Sequence, residues 1–308
     1  MKPDEKAKRV LHLIESWRER FETDLSLAPA SKLRREITLK ALLKTWPALP
    51  SLKVEQVTES ECRRWAIRAF REGTGFIAPG AKTRRRGMSP SAFNKCVDAP
   101  RGIFAIAVKE GAIKDNPGLE VPKVSARRKQ LELPSSEQFE AIVKIVAAKN
   151  VRWSLDCADM VRLLAYSGAR LREATGLCWS HVDEARQRLT IPGTKSASSY
   201  RMIPLFPPLA ALLTEMRNRR GKESKETRIA PVKECRQSLR SACRAVGIPA
   251  MTHHDLRHLF ATRCIESGVD IPTVSRWLGH SDGGTLAMKT YGHLRDEHST
   301  AQAAKVRF

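Results

Sequence analysis

Apolar residues recur every three or four positions through most of the first ~115 residues, which is the spacing of helices with one buried face. In residues 10–21 they occupy positions 10, 13, 14, 17 and 21, and this pattern predicts a helix. A second helix is predicted over 29–45, with Pro29 at its start. Its buried face is expected to contain Leu33, Ile37, Ala41 and Leu42.

Local start and stop signals place two further helices in this region. Thr58 can cap a third helix, with Glu61 completing a capping box. The Ser-Pro pair at 89–90 begins a long helix that runs to about residue 110 and is stopped by Gly111. The stretch 73–90 before that helix is rich in glycine and charge, which is typical of a loop.

Prolines then mark a break in the chain. Residues 117–134 contain Pro117, Pro122 and Pro134 around a basic run, a composition that indicates an interdomain linker. We therefore predict an all-helical domain over 1–116 and a second domain over 135–308.

The second domain is also predicted to be mainly helical, with one hairpin. Two runs of strand composition, 188–191 and 201–205, flank a segment of hairpin-loop composition. Helices are predicted over 135–149, near 154–166, from about Leu171, and over 208–219, 234–245, 255–266 and 272–278. The fold class is thus mainly α: an N-terminal helical domain plus an α-rich domain with a small antiparallel β-hairpin or sheet.

The chain is basic from end to end. It carries 55 Lys and Arg against 33 Asp and Glu, a formal net charge of +22. Residues 1–129 hold 28 basic and 15 acidic side chains and residues 130–308 hold 27 and 18, so both parts are positive. Such a chain most often binds a polyanion, and nucleic acid is favoured over a membrane because no stretch resembles a basic amphipathic surface helix. The alternative is a soluble protein that is merely highly charged.

The rest of the composition excludes several classes of protein. The 42% apolar residues suffice for a core, yet no apolar run approaches the ~18 residues that span a membrane. The first ten residues are charged and lack the apolar segment of a secretory signal. Seven cysteines without a close CxxC pair are typical of reduced thiols in the cytoplasm and argue against a zinc ribbon.

Histidines and an arginine cluster on one predicted helix of the second domain. His254 and Arg257 are three residues apart and share a face, whereas His254 and His258 have the spacing of a zinc pair. The zinc interpretation needs a third ligand, and the glutamate of an HExxH motif is absent. The arginine favours an oxyanion such as phosphate, because a guanidinium group repels a metal cation.

Other candidates are spread along the same domain. Arg170 begins a helix after a glycine turn, and Glu173 could hold it in place. Lys195 lies in the loop of the hairpin. His280 follows a glycine that ends a helix, and Tyr291 comes eleven residues later. Singly, each has an ordinary alternative: a surface salt bridge, a solvated lysine, or a half-buried tyrosine.

Together and in this order, these residues resemble the tyrosine recombinase (phage integrase) family. SGARLREATGL resembles the first arginine box, and SHVDEARQRLTIPGTKSASSYRMIPL resembles the hairpin that carries the family's lysine. HHDLRHLFATRCIESGVDIPTVSRWLGH resembles the second box almost throughout. SPSAFNKCVDAPRGIFAIAVKEGAIKDNP resembles the last long helix of the family's core-binding domain. The resemblance covers roughly residues 10–300.

The resemblance implies a reaction and the residues that perform it. The implied catalytic residues are Arg170, Lys195, His254, Arg257, His280 and Tyr291, supported by Glu173. Tyr291 would attack a phosphodiester to give a 3′-phosphotyrosine and a 5′-hydroxyl, and Lys195 would protonate the leaving oxygen. The arginines and a histidine would stabilise charge on the non-bridging oxygens in place of a metal ion. Bond energy stays in the phosphotyrosine link, so neither ATP nor another cofactor is expected.

The implied partners are double-stranded DNA and further copies of the chain. The two domains are expected to form a C-shaped clamp on the duplex, and four protomers to exchange strands through a Holliday junction in the prokaryotic cytosol or nucleoid. The residues of the first domain expected to contact DNA are Lys82, Arg84, Arg85, Arg86, Ser91, Asn94 and Lys95. The tail after residue 292 would dock on a neighbouring protomer or pack on its own domain.

Three other functions stay open on the residues. Residues 260–278 resemble a helix-turn-helix, as in a non-catalytic DNA-binding regulator, although a regulator would need neither Lys195 nor Tyr291. A type IB topoisomerase shares the phosphotyrosine chemistry but relaxes DNA as one active protomer. A zinc hydrolase would use His254 and His258.

Overall fold

A computed structural model describes residues 9–75, 87–125, 132–149, 152–193 and 200–280. The chain divides into two compact units, residues 1–129 and 130–308, and each has a hydrophobic cluster of its own. The described residues form helices in both units and a three-stranded antiparallel sheet in the second. This confirms the predicted class, mainly α with a small antiparallel sheet in the second half of the chain.

Helices account for most of the described part of the first unit, together with two short 3-10 turns at Leu49–Ser51 and Val54–Gln56. The helices are α1 (Val10–Thr23), α2 (Pro29–Thr45), α3 (Glu59–Glu72) and α4 (Pro90–Lys109). α4 packs against the other three, and its Phe104 is fully buried beside Trp65 of α3 and Leu13 of α1 in one core.

The two hydroxyl caps predicted from the sequence, Thr58 and Ser89, both form, but the predicted capping box of α3 does not. The hydroxyl of Thr58 accepts the backbone N–H of Glu61 at 3.3 Å and begins α3. The carboxylate of Glu61 bonds the side chain of Arg64 instead of completing a capping box. The hydroxyl of Ser89 caps α4 in the same way, and Gly111, with φ +70°, follows the helix end.

The buried face predicted for α2 is wrong in part. Leu33 and Ile37 are 62% and 58% exposed, whereas Leu39 and Leu42 are fully buried. Residues two positions apart on a helix differ in direction by about 200°, so Ile37 lies nearly opposite Leu39. Apolar residues occur on more than one side of α2, and the helical period alone could not tell which side packs against α4.

The chain after α4 folds back onto it through residue 124. The side-chain amide of Asn94 exchanges two hydrogen bonds of 2.8 Å with the backbone of Val124. The guanidinium of Arg101 bonds the carbonyl of Val121 at 2.7 Å, and Val121 is fully buried. Gly118 lies so close that a Cβ atom there would be 3.0 Å from the backbone of Arg101. The first part of the segment assigned above to a linker is therefore packed structure.

Unit two is built around α6. The described elements are α5 (Ser136–Ala147), α6 (Ser154–Ser167), α7 (Leu171–Ala174), a 3-10 turn (Trp179–His181), β1 (Val182–Asp183), β2 (Arg188–Ile191), β3 (Arg201–Pro204), α8 (Pro207–Arg220), α9 (Arg236–Val246), α10 (His253–Glu266) and α11 (Ile271–Leu278). α6 packs against α5, α8 and α10 and is buried on most of its surface. Ser135 begins α5 in a capping box with Gln138.

The sheet has the order β1-β2-β3, and its pairs are antiparallel. Leu189 pairs with Ile203 and Ile191 pairs with Arg201. β1 was not predicted, since a two-residue strand has too few positions to show alternation. None of the described helices is long and apolar enough to cross a membrane.

Candidate active site

Arg170 is placed by a tight turn between two helices. Gly168 ends α6 in the left-handed conformation, with φ +62°, and Arg170 is the residue that precedes α7. A Cβ atom on Gly168 would lie 2.5 Å from the ring of Phe260 in α10. Only glycine meets both the backbone angle and this close approach without strain.

Glu173 bonds Arg170 and holds it in place, as the sequence suggested. One carboxylate oxygen accepts Nη1 of Arg170 at 2.9 Å, and the other accepts its backbone N–H at 2.8 Å. The side chain of Glu173 is fully buried, whereas that of Arg170 is 40% exposed. The pair is therefore not a surface salt bridge: a buried carboxylate fixes a guanidinium that solvent can reach.

A second arginine bonds the same carboxylate. Nη2 of Arg201, at the start of β3, donates to Glu173 at 2.8 Å, and the Arg201 side chain is buried. Burial alone would raise the pKa of Glu173, but the bonds from Arg201 and Arg170 outweigh it and hold that pKa below its ordinary value. Glu173 is thus a carboxylate at neutral pH.

Arg257 connects three segments of the site. It lies on α10 and is buried, with Nη1 bonded to the carbonyl of Gly168 at 2.6 Å and Nη2 to the carbonyl of Leu278. The turn before Arg170 and the end of α11 are therefore tied to the helix that carries Arg257.

His254 lies one helical turn before Arg257 on α10. The helix begins at a capping box between Thr252 and Asp255, which sets the register of His254. Partial desolvation of the ring, followed by the positive charges of Arg257 and Arg170, lowers the pKa of His254. The imidazole is therefore mostly neutral at pH 7 and can both accept and donate a hydrogen bond.

His254 and His258, which have the spacing of a zinc pair, make a ring contact in the structure. The imidazoles of His254 and His258 meet edge to face, with centroids 4.6 Å apart. Within the described ranges, no group of three or more His, Cys, Asp or Glu side chains is placed to hold a metal ion.

His280 follows the end of α11. Gly279, with φ +66°, ends that helix, and the backbone N–H of His280 bonds the carbonyl of Ser275 at 3.1 Å. The carbonyl of Trp277 accepts Nε of Arg201. The last turn of α11 is thus bonded to both buried arginines of the site.

The remaining predicted site residues lie either outside the described residues or in the first unit. Lys195 and Tyr291 lie outside the described residues, as do Lys82 and Arg84 to Arg86; Lys195 belongs to the connection between β2 and β3. In the first unit, Ser91 and Lys95 are exposed on α4, whereas Asn94 is engaged with Val124.

Arg201 is the site residue that sequence reasoning missed, since the sequence predicted the strand that begins at residue 201 but no role for this side chain. A signal was available: side chains alternate faces along a strand, so Arg201 shares a face with Ile203. Ile203 is buried, and a charge on the buried face of a strand requires a partner.

Comparison with known proteins shows which family the chain is similar to. Residues 135–298, more than half of the chain, match the model of the phage integrase family. The tyrosine recombinase XerD of Lacticaseibacillus casei is 28% identical over 247 residues, covering 75% of this chain and 82% of that protein. The tyrosine recombinase XerC of Xylella fastidiosa is 30% identical over 225 residues, covering 68% and 73%.

Solved structures share the fold. The integrase of transposon Tn1549, in complex with transposon right end DNA, superposes with a TM-score of 0.72 at 17% identity, over 97% of this chain and 99% of that one. A lambda integrase tetramer bound to a Holliday junction gives a TM-score of 0.69 at 16% identity, over 92% and 78%.

The family match and these relatives show that the chain is a site-specific DNA recombinase of the tyrosine type. The chain belongs to the phage integrase family.

Proposed function

We propose that this recombinase cuts and rejoins double-stranded DNA through a 3′-phosphotyrosine bond, formed when Tyr291 attacks a phosphodiester. The observation that carries the proposal is the arrangement of the arginines. Glu173 fixes Arg170, and two backbone carbonyls fix Arg257 beside His254. These groups are held before a substrate binds, so they need little reorganisation when charge develops on the phosphate.

The arginines and a histidine stabilise that charge. Attack on the phosphorus places negative charge on the non-bridging oxygens, and one well-placed donor to such charge contributes about 2–4 kcal/mol. Arg170 is supported in this role because its side chain is partly exposed while its partner is buried. His280 supplies a further donor.

Proton transfers complete the reaction. Tyrosine has an ordinary pKa of about 10, so only about one in a thousand is ionised at pH 7, a deficit of roughly 4 kcal/mol. A positive pocket lowers this cost, and the neutral His254 can accept the tyrosine proton. Lys195 protonates the departing 5′-oxygen, which is a poor leaving group as an alkoxide.

The DNA partner and the assembly extend the proposal. The helical first domain, residues 1–116, binds the duplex, and the domain from residue 135 carries the chemistry. Ser91 and Lys95 are exposed on α4 and suited to phosphate contacts. Four protomers exchange strands, by analogy with the lambda integrase tetramer bound to a Holliday junction. The reaction takes place in the prokaryotic cytosol or nucleoid.

Covalent capture tests the proposal. The protein is incubated with random genomic duplexes, denatured in SDS, and the DNA that remains attached is sequenced to define a cleavage site. Tyr291→Phe keeps the ring and removes only the attacking oxygen, so it should bind that site normally and form no adduct. An adduct that persists in Tyr291→Phe refutes the nucleophile. Binding without any adduct from the unmodified protein supports a non-catalytic regulator instead.

A further inference from the structure

Arg201 is a buried charge at the first position of β3. Its residue is 6% exposed, and it lies on the face of the strand that Ile203 places in the core. A guanidinium group on such a face is costly unless its donors are bonded. The guanidinium of Arg201 therefore requires fixed hydrogen-bond partners, and those partners indicate its role in the site.

Those partners belong to two other segments of the site. Nη2 donates to the Glu173 oxygen that also accepts the backbone N–H of Arg170. Nε donates to the carbonyl of Trp277 in the last turn of α11. The absence of a side chain at Gly279 leaves room for this, since a Cβ atom there would lie 3.1 Å from the Arg201 guanidinium.

We propose that Arg201 is a positioning residue for strand cleavage: it fixes Glu173, and through Glu173 it fixes the guanidinium of Arg170. It also joins the strand that follows the Lys195 loop to the end of α11, immediately before His280. The inference rests on the proposed role of Arg170 at the scissile phosphate. In this role Arg201 acts through Glu173 rather than on the phosphate.

The geometry of the guanidinium explains why arginine stands here. Its planar fork presents donors in two directions and reaches a carboxylate and a backbone carbonyl at once. Lysine carries the same charge on a single nitrogen. Lysine at position 201 can therefore compensate the charge of Glu173 but cannot reproduce both bonds, and it should restore only part of the function.

The test compares Arg201→Met with Arg188→Met as a matched control. Methionine keeps an unbranched, flexible stem and removes the charge. Arg188 lies in the same hairpin, on β2, but is exposed. Three quantities are measured for each variant: the single-turnover rate of adduct formation on a duplex that cannot be rejoined, the Kd for that duplex, and the melting temperature.

A displaced catalytic group lowers a rate by roughly 10²-fold per ångström. We expect adduct formation in Arg201→Met to be about 10- to 100-fold slower, with the Kd changed by less than about threefold, and intermediate rates in Arg201→Lys. Arg188→Met should cleave at the unmodified rate. Arg201→Met that cleaves at that rate, or that loses only affinity, overturns the inference.

A double variant separates positioning from general stability. If Arg201 acts through Glu173, adding Arg201→Met to Glu173→Gln should slow cleavage little further. Slowing equal to the product of the two single effects overturns the inference. If Arg201→Met does not fold, the same comparison with Glu173→Gln is made with Arg201→Lys. A wild-type cleavage rate in Arg201→Lys then overturns the inference. Failure of the unmodified protein to form any adduct refutes the proposed function rather than the role of Arg201.

Discussion

Replacing Glu173 with glutamine tests how far the site depends on one buried carboxylate. Glutamine keeps the size and one acceptor oxygen but removes the charge. In the folded protein this leaves two guanidinium groups, of Arg170 and Arg201, facing a neutral amide whose NH2 group points toward other donors. The variant therefore breaks a buried ion pair by removing one partner.

The expected magnitude follows from the burial of Glu173. Breaking a buried pair from one side costs about 3–5 kcal/mol, because the remaining charge stays desolvated. A domain of 150–250 residues loses roughly 2–4 °C in melting temperature per kcal/mol, so the second unit should melt about 6–20 °C lower. Cleavage should fall by about 10²- to 10³-fold, the effect of losing one fixed donor to the developing charge.

The chain offers a matched control for stability. Glu215 also lies between two arginines, with Arg162 at 2.7 Å and Arg219 at 3.6 Å, but its side chain is 52% exposed. Exposed ion pairs contribute about 0–1 kcal/mol. Glu215→Gln should therefore change the melting temperature by only a few degrees and leave cleavage unchanged.

The pH dependence of the melting temperature shows whether the loss in Glu173→Gln comes from the missing charge. The folded protein holds the pKa of Glu173 below its ordinary value of 4.5, so the stabilising charge is fully present above that value and is lost as the pH falls through the folded pKa. The difference in melting temperature between the unmodified protein and Glu173→Gln should be full at pH 7 and shrink at about pH 3. An equal difference at both pH values, or a loss no larger than that of Glu215→Gln, refutes the reasoning.

Three further predictions address the chemistry, the DNA contacts and the turn. Lys195→Ala should cleave ordinary DNA very slowly but a 5′-phosphorothiolate duplex at close to the normal rate, because a thiolate leaves without an acid. The same duplex should not restore cleavage by Arg170→Ala. Slow cleavage of both duplexes by Lys195→Ala would refute Lys195 as the general acid. DNA affinity, measured by titration, should fall by about 10³-fold or more between about 50 and 200 mM salt if six or more phosphates are neutralised, and a flat response contradicts binding through many phosphate contacts. Gly168→Ala should lower the melting temperature more than Gly247→Ala, since both have positive φ but only Gly168 faces Phe260; equal losses contradict the steric argument.

Local signals predicted most of the helices and their ends. Thr58 and Ser89 cap helices where the sequence placed them, because a cap is decided by one hydroxyl and the N–H groups next to it. The three-residue spacing of His254 and Arg257 likewise predicted one shared helical face, because helical periodicity is a local property of the chain. These features need no information from distant parts of the chain.

Features that depend on distant partners could not be predicted. The exposed position of Leu33 was missed because the packing of α2 is decided by α4, some 60 residues later. Glu173 was recognised beside Arg170, but its burial and its second arginine depend on β3, 28 residues away. The partners of Arg257 were equally hidden, since backbone carbonyls carry no sequence signature.

The last turn of α11 ends in an unusual way. A helix end normally leaves carbonyls to water, and it is the part of a helix that opens most readily. Here two of those carbonyls, of Trp277 and Leu278, accept buried guanidinium groups, which also suit the negative end of the helix dipole. Fraying of α11 would have to release Arg201 and Arg257 together. Amide hydrogen exchange in this turn should therefore report the opening of the whole site. The chain that continues to Tyr291 begins at this turn, so its starting point is released only when the bonds to Arg201 and Arg257 break.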